Sequence, residues 1–274
     1  MFYGIIEEMA VHKVWPFYKE VVAMMQRARD QWRRCLNWTL RRMVLGPVIR
    51  HRVVANVAGI SNIPKHGGIL AFGSHTSEAE SLIIPAWLDR WLIHFFAKDE
   101  YWHKGALMRW FMNATGQIPV DRSNSRSHPE IDIGADFLAH GEKIAIYPEG
   151  TRSKDGKLHA GHTGMGHMAV RAVRMMRKLD PTCDLSNVVI VPVGMIGMEQ
   201  ASGPSGSGFF PKRAAVVINV GKPIRLTDAE VERIMAGRSS DGAIARRLTD
   251  DVMASIAVLC GKEFDPTFLP IPQD

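Results

Sequence analysis

From about residue 53 onward, short apolar runs alternate with stretches whose apolar positions recur every three or four residues. GGILAF (67–72) reads as a strand and is followed by a helix after Ser77. WLIHFFA (91–97) predicts the next strand, and GALMRWFMNA (105–114) a helix. The alternation continues with the strand IPV (118–120), a helix near EIDIGADFLAH (130–140), and the strand KIAIYP (143–148). A helix through MGHMAVRAVRMMRKL (165–179), the strands NVVIVPV (187–193) and AAVVINVG (214–221), and a last helix over DGAIARRLTDDVMASIAVLCG (241–261) complete it. This rhythm predicts an α/β domain, a mainly parallel sheet flanked by helices. In such a fold, functional residues gather where strands end. SGPSGSG (202–208) reads as a flexible loop, and its serines do not complete a Gly-x-Ser-x-Gly elbow.

The first 52 residues follow a different pattern. Between Arg27 and Arg52 the chain carries eight arginines against one acid, Asp30. Trp32, Leu36, Leu40 and Met43 recur among them at helical spacing. This pattern suits a basic amphipathic helix seated in a lipid headgroup layer, and equally a helix packed on the core with a solvated arginine face. The expected organisation is an N-terminal helical membrane-surface segment (1–50) and an α/β domain (51–274). The net charge of +6 favours anionic partners without choosing among nucleic acid, anionic lipid and phosphorylated metabolites. No run approaches the roughly 18 uninterrupted apolar residues of a membrane span, and no secretory leader pattern opens the chain, so a peripheral, cytoplasmic-side location is expected. Cys35, Cys183 and Cys260 lack paired spacing, which fits a reducing compartment and points to neither a disulfide framework nor a cysteine zinc site.

Four blocks stand where predicted strands end: SHTSEAE (74–80), GQIPVDR (116–122), YPEGTRS (147–153) and VPVG (191–194). Each alone is a weak signal. Together, in this order and spacing, they resemble the glycerophospholipid acyltransferase superfamily, the group that includes the lysophosphatidic acid acyltransferases. That superfamily carries a His-x4-Asp block, then blocks like Gly-x5-Arg and Phe-Pro-Glu-Gly-Thr-Arg, and a later Val-Pro. The resemblance covers roughly residues 50–225. This chain departs from the pattern in having Glu80 where the family has aspartate and Ser74 where asparagine is common. It also has HAGHTGMGH (159–167) where a lysine before a glycine is usual.

The resemblance implies transfer of a fatty acyl group from a coenzyme A or acyl-carrier-protein thioester to an alcohol, usually on a glycerol phosphate backbone. The residue types suit that chemistry. A neutral imidazole is matched to taking a hydroxyl proton near neutral pH, so His75 is the expected base and Glu80 the carboxylate that orients it. The acceptor's phosphate needs fixed cations, for which the arginine fork is well shaped; Arg122 and Arg152 are the candidates. By resemblance Glu149, Gly150 and Thr151 also line the acceptor site, and Lys98 assists the phosphate or thioester end. Ser77 and Glu80 also fit a Ser-x-x-Glu capping box, which would explain Glu80 structurally. In a continuous helix a five-residue offset turns through about 500°, so His75 must precede the helix if the two side chains are to meet.

No cofactor is expected; the thioester is a substrate. His159, His162 and His167 lack the His-Glu-x-x-His spacing, and no metal site is assigned. Met165, Met168, Met175 and Met176 read as core or acyl-chain lining. The expected partners are a membrane lipid surface, acyl-CoA or acyl-carrier protein, and a phosphorylated lipid acceptor such as 1-acylglycerol-3-phosphate, with no nucleic acid. Two rivals remain at this level. One is an acyltransferase acting on a glycolipid or another alcohol; the other is a non-catalytic basic module that binds membrane or nucleic acid.

Overall fold

A computed structural model describes residues 39, 42–43, 46–73, 75–76, 79–88, 92–120, 129–153, 155–201 and 211–268. Their elements run α1 (Gly46–Arg52), β1 (Val53–Ala58), β2 (Ile69–Gly73), α2 (Glu80–Trp87), β3 (Ile93–Lys98), α3 (Glu100–His103), α4 (Ala106–Ala114) and β4 (Ile118–Val120). They continue as α5 (Pro129–Ala139), β5 (Lys143–Ile146), β6 (Leu158–His159), α6 (Gly164–Leu179), β7 (Val189–Ile196), β8 (Ala214–Val220) and β9 (Ile224–Arg225). The last are α7 (Asp228–Ala236), α8 (Asp241–Cys260) and β10 (Phe264–Asp265).

The main sheet has the order β1-β8-β7-β2-β5-β3-β4, with β9 paired to β7. β7, β2, β5, β3 and β4 are mutually parallel, whereas β8 and β9 run antiparallel to β7 and β1 runs parallel to β8. The mainly parallel α/β sheet read from the apolar rhythm is therefore the observed architecture. Helices cover both faces. β2 shows why: all five of its residues are buried, and alternate ones face opposite layers. Leu70 and Phe72 join Ile49, Leu82, Ile83 and Ile84 in the core beneath α1 and α2. Ile69 and Ala71 join Leu138, Val170, Leu248 and Ile256 beneath α5, α6 and α8.

The C-terminal helix packs back onto the sheet as its periodicity implied. A Cβ at Gly194 of β7 would stand 2.5 Å from the Leu259 side chain, and one at Gly73 would stand 2.2 Å from Ile256. The helix lies so close that only hydrogen fits at these points. Gly73 is the last residue of β2, so α8 fixes the level at which the chain leaves the strand toward His75. Most of the basic stretch 27–52, including Arg33, Arg34 and Arg41, and the loop 202–208 lie outside the described residues. The described end of that stretch is α1, which carries Arg50, His51 and Arg52 in its last turn. Cations there complement the helix dipole. α1 straddles residue 50 and inserts Ile49 into the core.

Candidate active site

β2 and β5 are adjacent and parallel, with Ala71 opposite Ile146. The residues that follow them, His75 and Tyr147, therefore emerge side by side at one edge of the sheet. β3 ends at Lys98 on the same edge, beside Val120 of β4. His75 and Thr76 are not helical, and α2 begins at Glu80. His75 thus precedes the helix, as the five-residue spacing required.

His75 Nδ1 and Glu80 Oε2 are 2.7 Å apart. The Glu80 carboxylate is fully buried, whereas the imidazole is 22% exposed. The other carboxylate oxygen accepts from the Thr76 backbone N–H at 2.9 Å and from the Thr76 hydroxyl at 3.1 Å. An ionised carboxylate only accepts, so Nδ1 carries the hydrogen, and in the neutral imidazole Nε2 is then the nitrogen with the free lone pair. The capping reading takes a different form here. Glu80 is the first residue of α2 rather than the third, and Ala79, at the N-cap, makes no side-chain capping bond. The carboxylate reaches back beyond the helix end to Thr76 and His75, and Ser77 lies outside the described residues.

The YPEGTRS block surrounds His75 from β5. Tyr147 stacks on the imidazole with ring centroids 3.9 Å apart and planes at 23°. Its hydroxyl is buried beside Glu80, near enough to feel that charge but short of a well-formed hydrogen bond. Burial first, and the Glu80 carboxylate second, push the phenol well above its usual pKa. A turn follows, closed by the Gly150 N–H donating to the Tyr147 carbonyl at 3.0 Å, with Gly150 at φ 73°. A side chain at that φ is strained, which accounts for glycine there.

Glu149 is fully buried. Its carboxylate accepts from the backbone N–H of His159 at 3.0 Å and, more weakly, from that of His75 at 3.4 Å. Burial raises its pKa, and the backbone bonds and nearby histidines oppose that rise. In this geometry Glu149 ties the turn after β5 to the chain after β2 and to β6. The Ser153 N–H adds a second tie, donating to the His75 carbonyl at 2.9 Å.

Thr151 and Arg152 follow the turn and are half-buried, and Lys98 is likewise half-buried at the end of β3. Arg122 lies outside the described residues. The structure thus brings together His75, Glu80, Glu149 and Gly150, places Thr151 and Arg152 next along the same loop, and sets Lys98 at the same sheet edge. Of the three histidines weighed for metal, His159 pairs with Asp155 at 3.0 Å. Ligand-capable atoms of these two and of Asp265 lie within 4.8 Å of one another. The His159 contact is the first cause holding the Asp155 carboxyl well below the usual range. His162 instead packs against Phe268. Sequence reasoning missed Thr76 and the ring of Tyr147. The threonine's place directly after the histidine was the available signal for the first, and none pointed to the second, because stacking joins two strands far apart in the chain.

A family model, Acyltransferase, matches residues 54–196. The chain is 27% identical over 126 residues to the chloroplastic 1-acyl-sn-glycerol-3-phosphate acyltransferase LPAT1 of Arabidopsis thaliana, covering 46% of this chain and 31% of that protein. It is 26% identical over 123 residues to the chloroplastic 1-acyl-sn-glycerol-3-phosphate acyltransferase BAT2 of Brassica napus, covering 44% and 31% respectively. The matched stretch thus spans about a third of each relative's length. The crystal structure of the 1-acyl-sn-glycerophosphate acyltransferase PlsC of Thermotoga maritima aligns with a TM-score of 0.55 at 16% identity, over 94% of this chain and 90% of that one. That likeness speaks for the fold. With a family match across more than half of the chain and the motif blocks in their expected order, the protein belongs to the Acyltransferase family, within the glycerophospholipid acyltransferase superfamily.

Proposed function

We propose that this protein transfers a fatty acyl group from an acyl-CoA or acyl-carrier-protein thioester to a hydroxyl of a glycerol-phosphate lipid such as 1-acylglycerol-3-phosphate, at the cytoplasmic face of a membrane. The observation that carries the reading is the His75–Glu80 pair: a fully buried carboxylate 2.7 Å from Nδ1 of an imidazole that keeps part of its surface in solvent. With Nδ1 committed to Glu80, Nε2 takes the acceptor hydroxyl's proton as its oxygen attacks the thioester carbonyl carbon. The carbon–sulfur bond then breaks, and the departing thiolate recovers the proton from the imidazolium. Glu80 stabilises the transient cation, so no covalent enzyme intermediate is needed. Arg122 and Arg152 hold the acceptor's phosphate, and Thr151, Gly150 and Lys98 shape that end of the site. Two curated relatives named as 1-acyl-sn-glycerol-3-phosphate acyltransferases support the acceptor class.

The test incubates purified protein with radiolabelled acyl-CoA or acyl-carrier protein and a panel of lysophosphatidic acid, other lysophospholipids, glycolipids and simple alcohols. Labelled product with lysophosphatidic acid is expected. Product only with an unphosphorylated acceptor would move the reading to a glycolipid-type acyltransferase and leave the arginines without a phosphate. His75→Ala is expected to lower turnover by about 10²- to 10⁴-fold in a protein that remains folded. Arg122→Ala is expected to raise KM for the acceptor far more than for the thioester, with only partial rescue in Arg122→Lys, since an ammonium lacks the bidentate fork. Equal changes in both KM values would show general damage rather than phosphate binding.

A further inference from the structure

Tyr147 opens the third motif block at a position where the family pattern has phenylalanine, and the exchange adds a single hydroxyl. In this chain the ring stacks on His75, and the hydroxyl is buried near Glu80 without a well-formed hydrogen bond to it. The ring lies parallel to the imidazole at a centroid distance of 3.9 Å. Behind it the ring packs on Phe72, 6.0 Å away between centroids, so β2 and β5 support it together. The hydroxyl is buried at the Glu80 carboxylate.

We infer that Tyr147 is a positioning residue for the acyl-transfer site, its ring holding the plane of the His75 imidazole and its hydroxyl stabilising the Glu80 carboxylate as an anion. The inference deepens the proposed function and rests on it for its catalytic consequences.

The physical case has two parts. An imidazole anchored only at Nδ1 can swing about the Nδ1–Oε2 contact, which would carry Nε2 away from an incoming hydroxyl. A flat ring stacked on one face removes that freedom without itself covering the opposite face or Nε2. The second part concerns charge. A fully buried carboxylate is costly unless dipoles face it, and each donor turned toward it favours the ionised form. Thr76 supplies two such donors and His75 a third. A buried phenol hydroxyl without a hydrogen-bond partner among the described residues is best placed with its dipole toward that nearby charge. Burial first, and the nearby Glu80 charge second, keep the phenol protonated, so it faces the carboxylate as a neutral dipole. A dipole turned toward Glu80 favours the anion that the His75–Glu80 pair needs in the proposed reaction. Loss of the hydroxyl must move the acidic limb of the pH–rate profile upward.

Two substitutions separate the parts. Tyr147→Phe keeps the ring and removes the oxygen. The acidic limb of kcat/KM is expected to move up by about half a pH unit, the scale of one lost charge–dipole contact. The thioester KM should stay unchanged, and the melting temperature should fall. An unmoved limb together with a raised melting temperature would overturn the role of the hydroxyl, because removing a buried hydroxyl that does nothing relieves a cost. Tyr147→Leu also removes the ring. It is expected to lower kcat at least tenfold below Tyr147→Phe and to abolish the ring-current shift that the stacked ring imposes on the His75 ring protons in NMR spectra. Tyr147→Leu matching Tyr147→Phe in kcat and in those shifts would overturn the role of the ring. The melting and NMR measurements need no substrate. A protein without acyl-transfer activity would therefore refute the proposed function while still deciding whether Tyr147 holds the pair.

Discussion

At the scale of single residues, Glu80 combines a structural task and, in the proposed function, a chemical one in the same carboxylate. One oxygen binds the backbone and hydroxyl of Thr76, and the other faces His75. Glutamine would retain an acceptor for Thr76 but would present an uncharged amide to the imidazole that the proposed mechanism makes cationic. Glu80→Gln should therefore leave the melting temperature nearly unchanged and lower turnover at least tenfold, whereas Glu80→Asp should retain appreciable activity because the charge survives. Calorimetry and initial rates decide the matter. Full activity in Glu80→Gln would make the carboxylate a purely structural tie. Glu149 shows the opposite division. Resemblance assigned it to the acceptor site, and its geometry in the structure is that of a buried bracket holding the backbone of His75 and His159.

Elements bring these residues together through strand adjacency. β5 is a four-residue strand, and its first residue, Lys143, is almost fully buried, with its ammonium donating to the Lys65 carbonyl at 2.8 Å. Burial lowers its pKa from 10.5 to about 8, against the opposing charge of Glu142. Between those two values the unfolded chain still holds a proton that the folded chain has shed, so this group makes folding more favourable as pH rises across that window. Below the window the folded protein carries a buried ammonium at a cost. Lys143→Met should therefore flatten the rise. Urea denaturation of both proteins at the two ends of the window should show the stability difference, wild type minus variant, growing with pH. A constant difference would mean that the ammonium is as well solvated in the folded state as in the unfolded one.

For the molecule as a whole, the sheet separates two helical layers and concentrates the site at the ends of β2, β3 and β5. No described helix is long and apolar enough to cross a membrane. On the proposed function a lipid acceptor reaches His75, and the sequence of the arginine-rich stretch 27–52 suits either a lipid-surface helix or a core-packed one. Replacing Arg33, Arg34, Arg41 and Arg42 with glutamine should reduce co-sedimentation with phosphatidylglycerol-containing vesicles, and added salt should reproduce the effect in the unmodified protein. Unchanged sedimentation would assign those arginines to a solvated face of a core-packed helix.

Much of this was legible in the sequence because it depends on neighbours in the chain. Continuous apolar runs such as GGILAF mark strands buried on both faces, and the 3.6-residue recurrence in MGHMAVRAVRMMRKL marks a helix with one buried side; both elements formed where the pattern placed them. The pairing of His75 with Glu80 was also local, since five residues and a helix start leave few geometries. The tertiary structure decided what local order cannot encode. His75 and Glu149 stand 74 positions apart and meet because β2 and β5 are neighbours in a sheet whose strand order is not the chain order. For the same reason only the fold could turn Glu149 inward, lay Tyr147 on the imidazole, and bring His159 to Asp265 across the β6–β10 pair. Periodicity specifies which face of an element is buried, and contact between elements depends on the order and register in which they pack.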